Sequence, residues 1–167
     1  MRRSATVIAA AGLLIAIGLS PAVAGSAPAR QKAAVQKPCR AEVPAELTTA
    51  PAHWLGDCPN GMAEGLGVTR AGGAAPYEFF AGRMRDGQLV DGVLVLKSGL
   101  MMVAIRFDAQ RRVVVSDGLR PSEDEAVFRT ATAAAEAVSK RMAATGNRSS
   151  AAYYTGLAKR IRNAPPE

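Results

Sequence analysis

Few side chains in this 167-residue chain have the types and spacing for chemistry. The only histidine, His53, stands beside Trp54 at the start of a glycine-rich stretch. A general base needs a nucleophile held next to it, and the surrounding residues offer none, so His53 reads as a surface or edge residue. Asp57, Glu64, Asp86 and Asp91 fall among turn and strand-end positions, where Asp serves backbone hydrogen bonding. They read as solvated turn carboxylates rather than as an acid–base pair. Gly-x-Ser-x-Gly, His-Glu-x-x-His and P-loop patterns do not occur. One His and two Cys are too few for an all-protein His/Cys zinc site. The expectation is no catalytic residue, no metal ligand and no cofactor.

The remaining reactive residues are Cys39 and Cys58, and their chemistry depends on the compartment. Arg2 and Arg3, the apolar stretch Val7 to Leu19, the helix breaker Pro21 and the small residues Ala22-Val23-Ala24 together read as a secretory signal. Thirteen helical residues reach only about 20 Å, short of the ~30 Å hydrocarbon core. Cleavage after Ala24 is the favoured site, with Ala29 as the alternative, so the expected location is periplasmic or secreted. In an oxidising compartment a Cys39–Cys58 disulfide is the default, and no Cys-x-x-Cys or flanking His argues for reactive thiols.

Composition and charge narrow the class further. With 49% apolar residues, the chain is neither a disordered tail nor a collagen-like repeat. The formal net charge is +7, and loss of Arg2 and Arg3 leaves +5. Residues 25–125 carry 12 basic and 12 acidic side chains, whereas 126–167 carry 7 and 2. The excess therefore sits at the C-terminus. An exported protein meets anionic lipid, wall polymer or acidic proteins, so nucleic acid is not the expected partner.

The elements follow from pattern. Residues 25–38 have no apolar period and read as a flexible leader. Nine glycines between 56 and 92 exclude helix there. Strand character runs over Leu66–Arg70, Tyr77–Met84, Val93–Lys97, Leu100–Phe107 and Arg112–Ser116, separated by turns such as Asp86-Gly87 and Ser98-Gly99. A helix follows, opened by a Ser122-x-x-Glu125 capping box and closed near Gly146, with Val127, Ala131, Ala134, Val138 and Met142 on one stripe. A second helix spans about Ser150 to Arg162, with Tyr154, Leu157 and Ile161 on one face. The fold class is α+β, an antiparallel hairpin meander (39–121) with one or two C-terminal helices (122–167) packed on it.

Self-comparison reveals a repeat. Trp54-x-Gly56-x-Cys58-x-x-Gly61 recurs 26 residues later as Phe80-x-Gly82-x-Met84-x-x-Gly87. The first copy continues to Gly65-x-Gly67-Val68, while the second has Asp91 and Val93 at those offsets. A third copy begins at Val103, with Ile105, Phe107 and Gln110 at the matching offsets and no glycine left. The first copy resembles the MORN repeat, and the upstream Cys resembles exported bacterial MORN-like proteins. The resemblance covers about residues 39–97. It implies a single-layer sheet of stacked hairpins, without catalytic residues, serving as a platform for lipid headgroups or proteins.

Two functions remain open. One is a non-catalytic binding or scaffolding module of the bacterial cell envelope, in its sharper form an inhibitor or immunity protein for an exported enzyme, anchored through Trp54 or Phe80. The alternative is a peripheral binder of anionic lipid or wall polymer through Lys140, Arg141, Arg148, Lys159, Arg160 and Arg162. The bland reading of those cations is a solvated, soluble helix end.

Overall fold

The computed structural model describes residues 38–117 and 119–164. The expected signal peptide and the expected leader up to residue 37 lie outside the described residues. The expected α+β architecture is present. Five antiparallel strands, β1 (Ala52–Trp54), β2 (Gly65–Ala71), β3 (Glu78–Arg85), β4 (Gln88–Val95) and β5 (Met101–Ala104), form a sheet in sequence order. A two-stranded ribbon, β6 (Arg106–Phe107) with β7 (Val113–Val114), follows, and then α1 (Pro121–Ala144) and α2 (Arg148–Arg162).

Period-two alternation sends side chains to two different cores. Val68, Phe79, Ala81, Val93 and Val95 face the helices and pack on Val127, Ala131, Ala135, Val138, Leu157 and Ile161. Trp54, Phe80, Met84, Leu94 and Ala104 face the other way, toward Leu47 and the partly buried Val43, Phe107 and Val113. The sheet is therefore not a single exposed layer: the segment 39–51 straps its second face. Arg40 N donates to Gly61 O (2.9 Å), Glu42 N to Gly87 O (2.7 Å) and Ala45 N to Arg111 O (3.0 Å). Those three acceptors are positive-φ residues of three alternate turns (φ 78°, 80° and 61°). The strap's carboxylates return the favour: Leu89 N donates to Glu42 Oε2 (3.2 Å) and Val113 N to Glu46 Oε1 (2.8 Å). At its far end Thr49 donates twice to buried Glu78.

The Cys39–Cys58 disulfide closes the near end of this strap, with Cα atoms 5.9 Å apart. It ties the strap to the first turn, where the Arg40–Met62 bridge begins.

Several boundaries differ from the sequence expectation, each for a physical reason. β1 was not foreseen, because three residues behind Pro51 carry no readable period; pairing with β2 makes the strand. β4 begins at Gln88 rather than Val93, since Asp86 (φ 49°) and Gly87 form a two-residue turn that starts the strand at once. The stretch Leu100–Phe107 is broken at Ile105, which flips side-chain parity. Met101, Val103 and Ile105 face the helices, but Phe107 reaches the other core and meets Phe80 edge-on, centroids 5.6 Å apart. The capping box does not form. Pro121 opens α1 at its first position, and Arg120 precedes it with no side-chain cap bond. In α2 the side chain of Asn147, which also begins a glycosylation-like triplet, accepts from Ser150 N (3.1 Å).

Candidate functional site

The repeat residues are structural, and their register explains their spacing. Trp54, Thr69, Phe80, Leu94 and Met102 lie on one cross-sheet row. Two residues along, Gly67, Gly82, Gly92 and Ala104 form a second row, which Gly56 extends. The Trp54 ring lies on Gly56 and Gly67, where an added Cβ would fall 2.3 and 2.6 Å from Cζ2. The Phe80 ring lies on Gly82 and Gly92 in the same way, at 2.7 and 2.5 Å. The second copy thus keeps its later glycine one residue early, at Gly92 rather than position 93, because its hairpin is one residue shorter: Gly82 faces Gly92 ten positions on, whereas Gly56 faces Gly67 eleven positions on. The third unit is in register from Met102 and Ala104, not from Val103, and Arg111 rather than Gln110 takes the turn position.

Trp54 and Phe80 are buried at 9% and 0% exposure beneath the strap. They cannot anchor a partner on the sheet face. The indole Nε1 is also committed inside the chain, donating to Asp57 O (2.9 Å). Gly61 and Gly87 form turns, as expected, and Gly65 opens β2.

The basic residues do not form one patch. Arg141 donates to Leu55 O (2.9 Å) and Asp57 Oδ1 (2.6 Å), pinning the end of α1 to the loop after β1. Arg162 pairs with Glu136 across the two helices. Lys140, Arg148, Lys159 and Arg160 are exposed. Arg148 and Lys159 stand at opposite ends of α2, about 16 Å apart along its axis at 1.5 Å per residue. Of the carboxylates, Asp91 is not in a turn but on β4, doubly bonded to Arg83 (3.0 and 2.9 Å). Glu64 accepts from Asp86 N (2.8 Å), and His53 is exposed on the edge strand β1. Among the described residues no cluster of His, Cys, Asp or Glu could hold a metal ion.

A different set of residues meets at the end of the sheet nearest the first turn of α2. Arg70, Tyr77, Ser149, Ser150, Tyr153 and Tyr154 line an open cleft of about 240 Å³. All three tyrosines of the chain are here. β2 supplies Arg70, whose cross-strand neighbours are His53 and Phe79. Its guanidinium lies over the Tyr77 ring, 4.9 Å from the centroid. Tyr77 and Tyr153 meet edge-on (6.4 Å, 86°), as do Tyr153 and Tyr154 (5.6 Å, 81°), and Phe79 packs beneath all three. Such edge-to-face contacts fix ring positions beyond simple burial.

The electrostatics of this cleft are unusual. No carboxylate lines it, and among the described residues Arg70 has no ion-pair partner. Arg70 Nε is buried and makes no hydrogen bond, a group that normally finds a partner. Tyr154 is 3% exposed, and burial pushes its phenol pKa above the ordinary value near 10, against the opposing pull of Arg70. The phenol therefore stays neutral and keeps its proton to donate. Tyr153, by contrast, is 46% exposed and forms an accessible aromatic wall.

Sequence reasoning missed this site because Arg70 and Tyr154 are 84 positions apart and no motif links them. One signal was present: in a chain with 5% aromatics, Tyr153 lies off the apolar stripe of α2, where packing does not require it. No family model, curated protein or solved structure matches the chain.

Proposed function

We propose that the chain is a non-catalytic binding module of the bacterial cell envelope that takes another exported protein as its partner, as an inhibitor or immunity protein does. The observation that carries this is the tyrosine cleft around Arg70, a half-buried cation with no counter-charge and an exposed aromatic wall. Tyrosine and arginine are the residues that most often dominate protein interfaces. The cleft offers a partner recognition groups but no nucleophile activated by a base. The disulfide supports an exported setting. The aromatic rings seated on paired glycines support a MORN-like origin for the sheet, with strap and helices covering both faces.

Peripheral attachment to anionic lipid or wall polymer is the weaker reading, since Arg141 and Arg162 already carry partners and the other cations are divided between Lys140 on α1 and the two ends of α2. Co-sedimentation with anionic vesicles separates the two. The parent should stay in the supernatant at low and high salt alike, and a variant with Lys159, Arg160 and Arg162 changed to Gln should behave the same way. Strong binding at low salt that the triple variant abolishes would overturn the proposal, because surface charges near an anionic bilayer are worth about 1 kcal/mol each.

A further inference from the structure

We infer that the Arg70 cleft captures the free carboxyl terminus of a peptide chain, with the terminal residue's side chain, apolar or aromatic, held against the tyrosines. This rests on the cleft being the partner site. The argument from charge comes first. The lining holds one cation and no anion, which matches a single negative charge. A phosphate dianion would call for more positive charge than one guanidinium supplies. Geometry comes second. One face of the guanidinium is taken by Tyr77 and the Tyr154 hydroxyl takes one of its hydrogen bonds, so the rest of its in-plane N–H edge is what remains to bind with, and Nε on that edge is buried without a hydrogen bond. A planar fork of donors is the natural complement of a planar carboxylate, and a lysine cannot reproduce it.

Size and wall chemistry distinguish a chain terminus from an internal Asp or Glu. At about 240 Å³ the cleft is smaller than the ~300–1,000 Å³ of sites for drug-sized ligands, so it accommodates about one residue. An α-carboxylate and its side chain leave the same carbon, so a terminal residue engages Arg70 and the tyrosine walls together and needs one exit for the rest of the chain. An internal acidic residue needs two exits and leaves the walls empty. The Ser149 and Ser150 hydroxyls, which also line the cleft, add donors for the carboxylate oxygens.

The test is a ¹H–¹⁵N titration of the full chain with N-acetylphenylalanine, N-acetylphenylalanine amide, N-acetylaspartic acid amide and inorganic phosphate. The free acid should shift the Arg70 Nε–H and the amides of residues 149–154. The amide, the aspartate derivative and phosphate should each bind about tenfold more weakly or worse. Arg70→Lys should weaken the acid about tenfold and Arg70→Gln should remove binding. Tyr153→Leu, at a half-exposed position, should weaken it severalfold, while loss of the ring contacts lowers the melting temperature by only a few degrees. Equal binding of acid and amide would overturn the inference, as would tighter binding of phosphate or of the aspartate derivative, or no shift at these residues. Partner crosslinking from position 153 is a separate readout. Crosslinking that the free acid does not compete sinks the inference alone, whereas acid binding with no protein crosslink sinks the protein-partner reading alone.

Discussion

Gly82→Ala should lower the stability of the protein by more than about 3 kcal/mol. Gly82 lies on β3, with a paired strand on each side, and its neighbours across the sheet are Gly67 and Gly92. An added Cβ would stand 2.2 Å from Asp91 O and 2.8 Å from Gly92 Cα, which are backbone atoms, and 2.7 Å from Phe80 Cζ. Relief requires the Phe80 ring to leave a fully buried site and the β3–β4 pairing to open. Overpacking a core typically costs 1–3 kcal/mol even when side chains alone can move, so a cost above about 3 kcal/mol is expected here. The control is Gly73→Ala, where the nearest atom is Pro51 Cδ at 4.0 Å. Urea unfolding should place that variant with the parent. If both variants share the parental midpoint, the seating of the aromatic rings on the glycine rows is wrong.

Loss of the disulfide should rank next. Cys39 and Cys58 close a loop of about 20 residues, for which the chain-entropy model gives about 3 kcal/mol. The strap adds to that loss, because its bonds to Gly61 and Gly87 are easier to form once Cys39 is fixed. Cys58→Ser should therefore lower stability by about 2–4 kcal/mol, and unreduced protein from an oxidising compartment should carry no free thiol. Thiol labelling of that native protein, or a parental urea midpoint for the variant, would contradict this.

Much of the fold was legible because the informative residues act locally. Asp86-Gly87 sets a two-residue turn wherever it occurs between strands, and the stripe from Val127 to Val138 needs only one apolar surface to cover. The strap was not legible. Residues 39–51 have no period, and their order comes from carbonyls on turns up to 66 positions away, as Ala45 on Arg111 illustrates. The second layer it creates was therefore unforeseen, and with it the burial of Trp54 and Phe80. The break at Ile105 was hidden for another reason: Leu100–Phe107 alternates without interruption in sequence, and only pairing with Val113 and Val114 bends it.

The candidate site was less legible than the fold. The aromatic residues that stand out in sequence, Trp54 and Phe80, are marked by glycines that exist to seat their rings. The cations that stand out, at the C-terminus, are partly consumed by Asp57 and Glu136. Arg70 shows no local feature at all. Its significance comes from what the fold leaves off: of the charged residues near the sheet end, it is the one placed among tyrosines without a carboxylate.

The most direct test of the protein-partner claim is site-specific photocrosslinking in intact producing cells. A photoreactive phenylalanine analogue replaces Tyr153 at the cleft in one strain and Lys159 at the far end of α2 in another. The account predicts one discrete protein adduct from position 153, lost when Arg70→Gln is added, and no matching adduct from position 159. An adduct from position 159 alone, or lipid adducts in place of protein at position 153, would contradict it.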